Sequence, residues 1–267
     1  MNNLKEIIKK IKQNKKYKSI SNEIIKKEIK DYFKKNPDAQ DNKTIIKEIR
    51  AILHKSYSSF QTKKKTKKYK YLEELKQNKN KETINKLLSL TLSTKERIND
   101  YEFIYKNIFK ITKKPKTIIE LGCGLNPLSF PYMNIDFLNY YAYDIDEEDR
   151  RFLNKYFKIM KNKINGKAEI LDLRNNKKLS KIPFSDIIFL FKVIDIIDKE
   201  NHKPSEKLIQ ILIKKTKFIV ISFALKTITR KKMNFPKRKW FELMLNRLNL
   251  NYKIFKTDNE IFYIIKT

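Results

Sequence analysis

Glycine, cysteine and histidine are scarce in this chain of 267 residues, which contains 3, 1 and 2 of them. A single cysteine excludes a disulfide framework, and together with two histidines it excludes a zinc site built from those residue types. No apolar run approaches the length of about 18 residues needed to span a membrane, and the N-terminus lacks the apolar segment of a secretory signal. We therefore expect a cytoplasmic protein with no metal and no membrane partner.

Positive charge is what the chain has in excess. It contains 62 lysines and arginines against 30 acidic residues, a net charge of +32. Such a surplus attracts polyanions. About half of it lies in the first third of the chain, where residues 63–71 (KKKTKKYKY) alternate cations with aromatic rings. This pattern favours phosphate contacts and base stacking, and hence nucleic acid over membrane, although lysine drift in an AT-rich genome is an alternative source of charge.

The apolar pattern divides the chain into two parts. Residues 1–90 carry apolar residues at helical spacing, with Ser21 as a helix cap and a further helix from about Asp41, and they predict an N-terminal helical domain that binds RNA. Residues 91–267 alternate helical patterns with short apolar runs, near 117–121, 140–143, 168–171, 187–190 and 218–222. This alternation predicts an α/β, Rossmann-like fold with a parallel sheet, closed by an antiparallel hairpin of residues 252–255 and 261–265.

Three of the predicted strands end in residues suited to an adenosine ligand. Gly122 and Gly124 follow the first strand, where small residues allow a tight turn close to a ligand. Asp144 ends the second strand, about 20 residues later, where such folds place an acceptor for ribose hydroxyls. Asp172 and Leu173 end the third strand, and Asp172 is placed to reach the adenine amino group. NAD would use the same features, but Pro127 stands where its third glycine would fall.

These motifs resemble the Arm/Rmt/Sgm type of 16S rRNA (guanine(1405)-N(7))-methyltransferase, a class I methyltransferase family that confers aminoglycoside resistance. The resemblance covers about residues 45–267. Its motifs are STKER at 93–97, GCGLNPL at 122–128, AYDID at 142–146, FLFK at 189–192, ISF at 221–223 with Lys226, and WFE at 240–242. Thr91, Ala224 and the loop 229–233 depart from the family pattern, and the loop leaves the target base open.

The resemblance implies a cofactor and a partner. The cofactor is S-adenosylmethionine (SAM), with Arg97 pairing with its methionine carboxylate. Tyr57, Ser58 and Phe60 resemble an aromatic cluster that closes over it. The full set of expected cofactor-binding residues is Phe60, Ser93, Thr94, Arg97, Gly122, Cys123, Gly124, Asp144, Asp172 and Leu173. The expected partner is 16S rRNA within the small ribosomal subunit, bound by a monomer.

Methylation at guanine N7 requires no general base, because N7 has a free in-plane lone pair and no proton. The catalytic residues are therefore expected to act by positioning the RNA and its target base. Lys192 and Lys226 would hold phosphates, Trp240 would stack on the base, and Glu242 would offset the positive charge of the methylated ring. Cys123 is a less favoured alternative as a nucleophile. The open alternatives for function are methylation of another RNA, such as tRNA, and a non-catalytic RNA-binding protein on the same fold.

Overall fold

Seven strands form one sheet in the order β3-β2-β1-β4-β5-β7-β6. The computed structural model describes residues 2–57, 66–198, 202–227, 231, 233 and 237–267. Strands β1 to β5 are parallel, and β7 runs antiparallel to both β5 and β6. The predicted α/β class and closing hairpin are confirmed, and the sheet is that of the class I methyltransferases. The strands are β1 (Thr117–Leu121), β2 (Leu138–Asp144), β3 (Ile164–Ile170), β4 (Ser185–Phe191), β5 (Thr216–Ala224), β6 (Tyr252–Lys256) and β7 (Glu260–Lys266).

The helices begin where their caps predict. Ser21 and Asp41 accept hydrogen bonds from backbone N–H groups in the first turns of α2 and α3, as expected of N-caps. None of the described helices is long and apolar enough to cross a membrane. The helices are α1 (Asn2–Gln13), α2 (Asn22–Lys35), α3 (Asn42–Ser56), α4 (Lys68–Gln77), α5 (Lys81–Leu88), α6 (Leu92–Lys95), α7 (Tyr101–Thr112), α8 (Glu147–Ile159), α9 (Asn176–Leu179), α10 (Ile194–Ile197), α11 (Lys203–Leu212) and α12 (Lys239–Arg247).

The segment after β1 is a 3₁₀ helix, Asn126–Tyr132, where the sequence pattern predicts a helix without specifying its type. Pro127 lies at its start and Pro131 inside it. Pro127 is tolerated in the first turn, where its missing N–H would have no partner in the helix, whereas Pro131 cannot donate the i→i−4 hydrogen bond of a regular α-helix. The tighter 3₁₀ turn keeps this segment short and leaves the glycine turn before it facing the sheet edge.

The N-terminal helices belong to two different hydrophobic cores. Helices α1 to α3 bury their apolar side chains in a cluster of their own, from Ile7 to Tyr57. Helices α4 and α5 instead contribute Leu72, Leu75 and Leu87 to the core of the sheet. The cores thus separate between α3 and α4, whereas the domain division at residue 90 stays a prediction from sequence.

Part of the basic tract at 63–71 has a packing role. Lys68 is only 4% exposed, and its Nζ lies 3.1 Å from Asp149 Oδ1 on α8. Tyr69 donates a hydrogen bond of 2.5 Å to Glu148, and its ring packs edge-on against Phe152. These two residues therefore dock α4 on α8, and Lys68 is too deeply buried to contact RNA. Lys67 and Lys70 are exposed, and residues 63–65 lie outside the described residues.

Candidate functional site

A cavity lies at the carboxyl ends of β1 to β4, where a parallel α/β sheet binds its ligands. Each strand end contributes lining residues: Gly122 and Gly124 after β1, Asp144 and Ile145 at β2, Leu171 to Arg174 after β3, and Phe191 to Val193 at β4. The helical segments complete the wall with Ile24, Glu28, Tyr57, Thr91, Ser93, Asp149, Ile196 and Ile197. Six of the ten predicted cofactor-binding residues line this cavity, namely Ser93, Gly122, Gly124, Asp144, Asp172 and Leu173.

The glycine turn is held by the end of β2. Gly122 and Gly124 have φ angles of 68° and 48°, in the left-handed region that favours glycine. The N–H groups of Gly122 and Cys123 both donate to the carbonyl of Tyr143, at 2.8 and 3.0 Å. The Cys123 side chain points away from the cavity into the core, where burial raises the pKa of its thiol well above the usual value. A neutral buried thiol is a poor nucleophile.

Asp144 connects this turn to the cavity. One carboxylate oxygen accepts the Gly124 N–H at 2.7 Å, and the other accepts the N–H of Ile145 at 2.7 Å and that of Asp146 at 3.2 Å. Burial raises the pKa of Asp144 above its ordinary value, and these N–H donors act in the opposite direction. The carboxylate lines the cavity, so it combines a structural role with a position open to hydroxyl donors.

Asp172 is charged and already surrounded by cations. It accepts hydrogen bonds from the Arg174 side chain at 3.0 and 3.1 Å, and Lys27 Nζ lies 3.0 Å from it. Burial alone would raise the pKa of Asp172, but Arg174 more than offsets this, and the pKa lies below its ordinary value. An ionised carboxylate with two acceptor oxygens is the form that can bind an amino group.

Arg97 lies in a buried ion pair beside the cavity and does not line it. Its Nε donates to Glu260 Oε1 at 2.7 Å, and its Nη2 donates to Glu260 Oε2 at 3.0 Å. Nη1 donates to Asn126 at 3.2 Å, and the guanidinium lies over the Phe191 ring, 5.0 Å from its centroid. These bonds leave one N–H on Nη1 and one on Nη2 that could bind a ligand. Pairing of Arg97 with the carboxylate of SAM therefore remains chemically feasible and stays a prediction.

Lys192 and Lys226 lie together at the ends of β4 and β5. Lys192 Nζ is 2.7 Å from Glu96 Oε2 and 3.2 Å from Glu260 Oε1, and its backbone is left-handed with a φ of 58°. Lys226 donates to Asn259 Oδ1 at 3.0 Å, and Asn259 in turn donates to the Glu96 carbonyl at 3.3 Å. A strained backbone at a non-glycine residue is common at functional sites. The catalytic role expected of Lys192 and Lys226 stays a prediction.

The other predicted site residues lie elsewhere. Trp240 is stacked on His202, with ring centroids 3.7 Å apart, and Glu242 accepts a hydrogen bond of 2.9 Å from Tyr263 on the sheet. Neither lines the cavity, so their roles on the target base stay predictions. Thr94 is buried, where its hydroxyl contacts Thr91 and the Leu88 carbonyl. Phe60 and Ser58 lie outside the described residues.

Several residues of the site were not predicted from sequence. Glu260, Glu28 and Ile24 come from segments far from the motifs, and no local pattern marks them. Arg174 had a signal, because it directly follows Asp172 and Leu173. Glu120 had one too, since it opens the motif that contains the two glycines. In the structure it is 1% exposed and accepts hydrogen bonds from Asn126 at 2.8 Å and Tyr140 at 2.5 Å.

Replacing Glu120 with glutamine is expected to change how stability depends on pH. Burial raises the pKa of Glu120 from 4.5 to about 8, so the folded protein holds a proton there that the unfolded chain releases. The wild type therefore loses stability as the pH rises from about 4.5 to 8, by up to about 1.4 kcal/mol per pH unit from this group. Urea unfolding at several pH values should show Glu120→Gln gaining on the wild type across this window; a constant difference would contradict the assignment.

Replacing Asp144 with alanine is expected to weaken SAM binding by about 1–3 kcal/mol, roughly fivefold to 150-fold, because charge-assisted hydrogen bonds are lost. Calorimetric titration measures this directly. Asp136→Ala is the matched control, since it removes an exposed acid just before the opposite end of the same strand. Equal affinities for the two variants would exclude Asp144 from the cofactor site.

The cavity fits SAM. Asp144 and Asp172 carry carboxylate oxygens of the kind that would accept hydrogen bonds from ribose hydroxyls and an adenine amino group, and Ile145, Leu173 and Ile197 form apolar walls. When bound, SAM supplies an electrophilic methyl group on a sulfonium. Among the described residues, no group of three or more histidine, cysteine or acidic side chains is arranged to hold a metal ion.

Comparison with known proteins agrees with this geometry. The chain is similar to a 16S rRNA (guanine(1405)-N(7))-methyltransferase of Proteus mirabilis, with 25% identity over 284 residues, covering 99% of this chain and 97% of that protein. The crystal structure of the 16S rRNA methyltransferase RmtF in complex with S-adenosyl-L-homocysteine shares the fold, with a TM-score of 0.82, 19% identity, and coverage of 100% and 98%. The structure of the 16S rRNA methylase RmtB follows with a TM-score of 0.74, 19% identity, and coverage of 99% and 98%.

A family match covers most of the chain. Residues 13–253 match the family described as "Ribosomal RNA methyltransferase (FmrO)". This stretch includes helices α2 and α3 as well as the glycine turn, Asp144 and Asp172. The chain therefore belongs to the FmrO family of ribosomal RNA methyltransferases, with SAM as its methyl donor.

Proposed function

We propose that this protein methylates N7 of a guanine in the decoding region of 16S rRNA, acting on the small ribosomal subunit. The observation that carries the proposal is the cavity itself. It offers acceptors for adenosine at the ends of β2 and β3, and Lys192 lines it at the end of β4, with Lys226 close by. The name of the Proteus mirabilis relative supports N7 of guanine as the target.

The role expected of such a site is to position the guanine base and SAM for methyl transfer. Guanine N7 attacks the methyl carbon in line, its lone pair forms the new N–C bond, and the electrons of the breaking S–C bond return to sulfur. No proton moves in this step, so the chain needs no general base. Its residues instead hold the cofactor, orient the base and keep water out. The methylated ring becomes positive, which disfavours a lysine beside it; we therefore assign Lys192 and Lys226 to phosphate contacts.

The experiment that tests this function uses SAM with a tritiated methyl group. The full-length protein is incubated separately with small ribosomal subunits, protein-free 16S rRNA and tRNA. Borohydride and aniline then cleave the RNA at 7-methylguanine, and primer extension maps the cleavage. We expect a stop in the decoding helix of the 16S rRNA. Methylation of tRNA, or of an adenine or cytosine, would contradict the proposed target.

Helices α1 and α2 offer a surface for the RNA backbone. A groove between them is lined by Lys5, Lys9, Lys12 and Lys26, and Lys12 is held by a hydrogen bond of 2.8 Å to Asn22. Four cations along one groove favour phosphate contacts. A groove of this kind supports the proposal that the N-terminal helices supply RNA affinity.

Replacing Lys5, Lys9 and Lys26 together with glutamine is expected to weaken binding of small-subunit RNA. Each lost phosphate contact also reduces the salt dependence of binding by about 0.7–0.9 in the slope of log affinity against log salt. Filter binding at several salt concentrations measures both effects. Glutamine at Lys158, Lys161 and Lys163, around the end of α8, is the charge-matched control. An unchanged slope in the groove variant would exclude this groove from RNA binding.

A further inference from the structure

Helix α2 of the N-terminal bundle forms one wall of the cavity. Ile24 and Glu28 both line it, although the apolar side chains of α2, Ile24 included, belong to a hydrophobic core separate from that of the sheet. Both side chains are buried, with Ile24 2% and Glu28 4% exposed. A wall this tightly enclosed is part of the binding site and is not a neighbouring surface.

Four charged residues of alternating sign connect α2 to the end of β3. Glu28 Oε1 lies 2.6 Å from Arg174 Nη1, and Arg174 also binds Asp172 through its Nε at 3.0 Å. Lys27 Nζ, on the same helix, lies 3.0 Å from the other oxygen of Asp172. This series begins at Glu28 and ends at Lys27, both on α2. The orientation of the Asp172 carboxylate is therefore determined from α2 as well as from β3.

The segment before α2 anchors this helix to the sheet. Ile20 forms an isolated antiparallel bridge with Asp146, and the Ser21 N–H donates to the Ile145 carbonyl at 3.1 Å. Ser19 Oγ donates to Asp146 Oδ2 at 2.7 Å. Because these bonds attach α2 to the residues that immediately follow Asp144, α2 keeps a fixed position against the strand ends.

The adenine end of the cavity is the end that α2 covers. Asp144 and Asp172 define its direction, because the first is placed for the ribose and the second for the adenine amino group. Glu28 lines the cavity and contacts Arg174, which binds Asp172, and Ile24 lies one helical turn before Glu28 and also lines the cavity. An adenine ring bound between the two acids therefore packs against α2.

We propose that helix α2 is part of the adenine subsite, with Ile24 packing on the ring and Glu28 acting as a positioning residue that orients Asp172 through Arg174. This inference rests on the proposed cofactor site and extends it to the RNA-binding bundle. If α2 contacts the cofactor, binding of RNA to the bundle and binding of the cofactor are energetically coupled, and the coupling is reciprocal.

The test measures binding of S-adenosylhomocysteine to the full-length chain by calorimetry. Ile24→Ala is expected to raise Kd about tenfold, because it removes the contact with the ring. Ile29→Ala is the matched control: Ile29 is 0% exposed in the same helix and does not line the cavity. Both variants lose similar packing, so only a contact with the cofactor separates them. We expect the Kd of Ile29→Ala to stay within about twofold of the wild type.

Glu28→Gln tests the positioning role, with Glu23→Gln as its control. Glu23 also pairs with a residue beyond β3, Lys178 at 2.8 Å, but the pair is exposed and does not line the cavity. The readout is discrimination between S-adenosylhomocysteine and its inosine analogue, in which oxygen replaces the adenine amino group. We expect Glu28→Gln to reduce this discrimination at least threefold and Glu23→Gln to preserve it.

The outcomes distinguish failure of the proposed cofactor site from failure of the proposed role of α2. If the wild type binds no S-adenosylhomocysteine, the cofactor site fails and the proposal fails with it. If the wild type binds but Ile24→Ala behaves like Ile29→Ala, or Glu28→Gln keeps full discrimination, only the role of α2 is overturned. Loss of affinity in Ile24→Ala together with loss of discrimination in Glu28→Gln supports it.

Discussion

Replacing Arg97 with methionine is expected to lower the free energy of unfolding by about 3 kcal/mol. Arg97 and Glu260 are 3% and 0% exposed, and their pair is bidentate. Removing one partner of a buried pair leaves the other charge without compensation, which typically costs about 3–5 kcal/mol. Lys192, at 3.2 Å, continues to neutralise Glu260 in part, so the lower end of that range applies. Urea unfolding followed by circular dichroism measures the loss.

Two further variants separate burial from charge. Lys81 pairs with Glu102 at the same distance of 2.7 Å, but both side chains are exposed. Lys81→Met is therefore expected to leave stability nearly unchanged. The double variant Arg97→Met with Glu260→Gln removes both charges and should recover much of the loss, since an uncharged pair has no uncompensated ion. A double variant less stable than Arg97→Met alone would show that packing, and not charge, dominates at this position.

Replacing Gly122 with alanine is expected to cost about 2–5 kcal/mol of stability and to weaken SAM binding on the order of a hundredfold. The left-handed φ of 68° is unfavourable by about 1–2 kcal/mol for a residue with a Cβ atom. That Cβ would also lie 2.6 Å from Cγ2 of Val193, which follows the neighbouring strand β4 and also lines the cavity. Overpacking adds about 1–3 kcal/mol, and a shift of the turn displaces its ligand-facing backbone.

Gly124→Ala separates the cost of backbone strain from the cost of overpacking. Its φ is 48°, but a Cβ there would meet no atom within 4 Å. It should therefore lose only the strain of about 1–2 kcal/mol. Val193→Ala in the Gly122→Ala background removes the clashing methyl groups, and we expect a favourable coupling of about 1–3 kcal/mol in the double-mutant cycle. Purely additive effects would mean that the backbone conformation alone requires glycine at this position.

Features that depend on local pattern and topology were predictable from the sequence. Uninterrupted apolar runs such as Ile187–Leu190 marked the buried strands, and the capping positions of Ser21 and Asp41 marked helix starts. Because the carboxyl ends of parallel strands share one edge, the positions of Asp144 and Asp172 followed from the strand assignments alone. The sequence therefore predicted the sheet and the edge of the sheet at which the cavity lies.

Features that depend on distant contacts were not predictable. Lys68 lies in a run of lysines that is typical of an exposed segment, yet it is buried against α8, where it pairs with acidic side chains. Trp240 was a candidate for base stacking, but His202, 38 residues earlier in the chain, occupies one of its faces. No periodicity in α2 distinguishes Ile24 and Glu28, which line the cavity, from Ile29, which does not. Such contacts arise from tertiary packing, which a single sequence does not encode locally.

The position of β7 in the sheet has a consequence for biosynthesis. This strand lies between β5 and β6, and it carries Glu260, the partner of an arginine 163 residues earlier. Contacts of such sequence separation form late in folding, because a long loop must close first. Until β7 is in place, a newly made chain lacks the carboxylate partner of Arg97 and the strand between β5 and β6. Pairing of Arg97 with Glu260 and completion of the sheet are therefore expected in the same late step of folding.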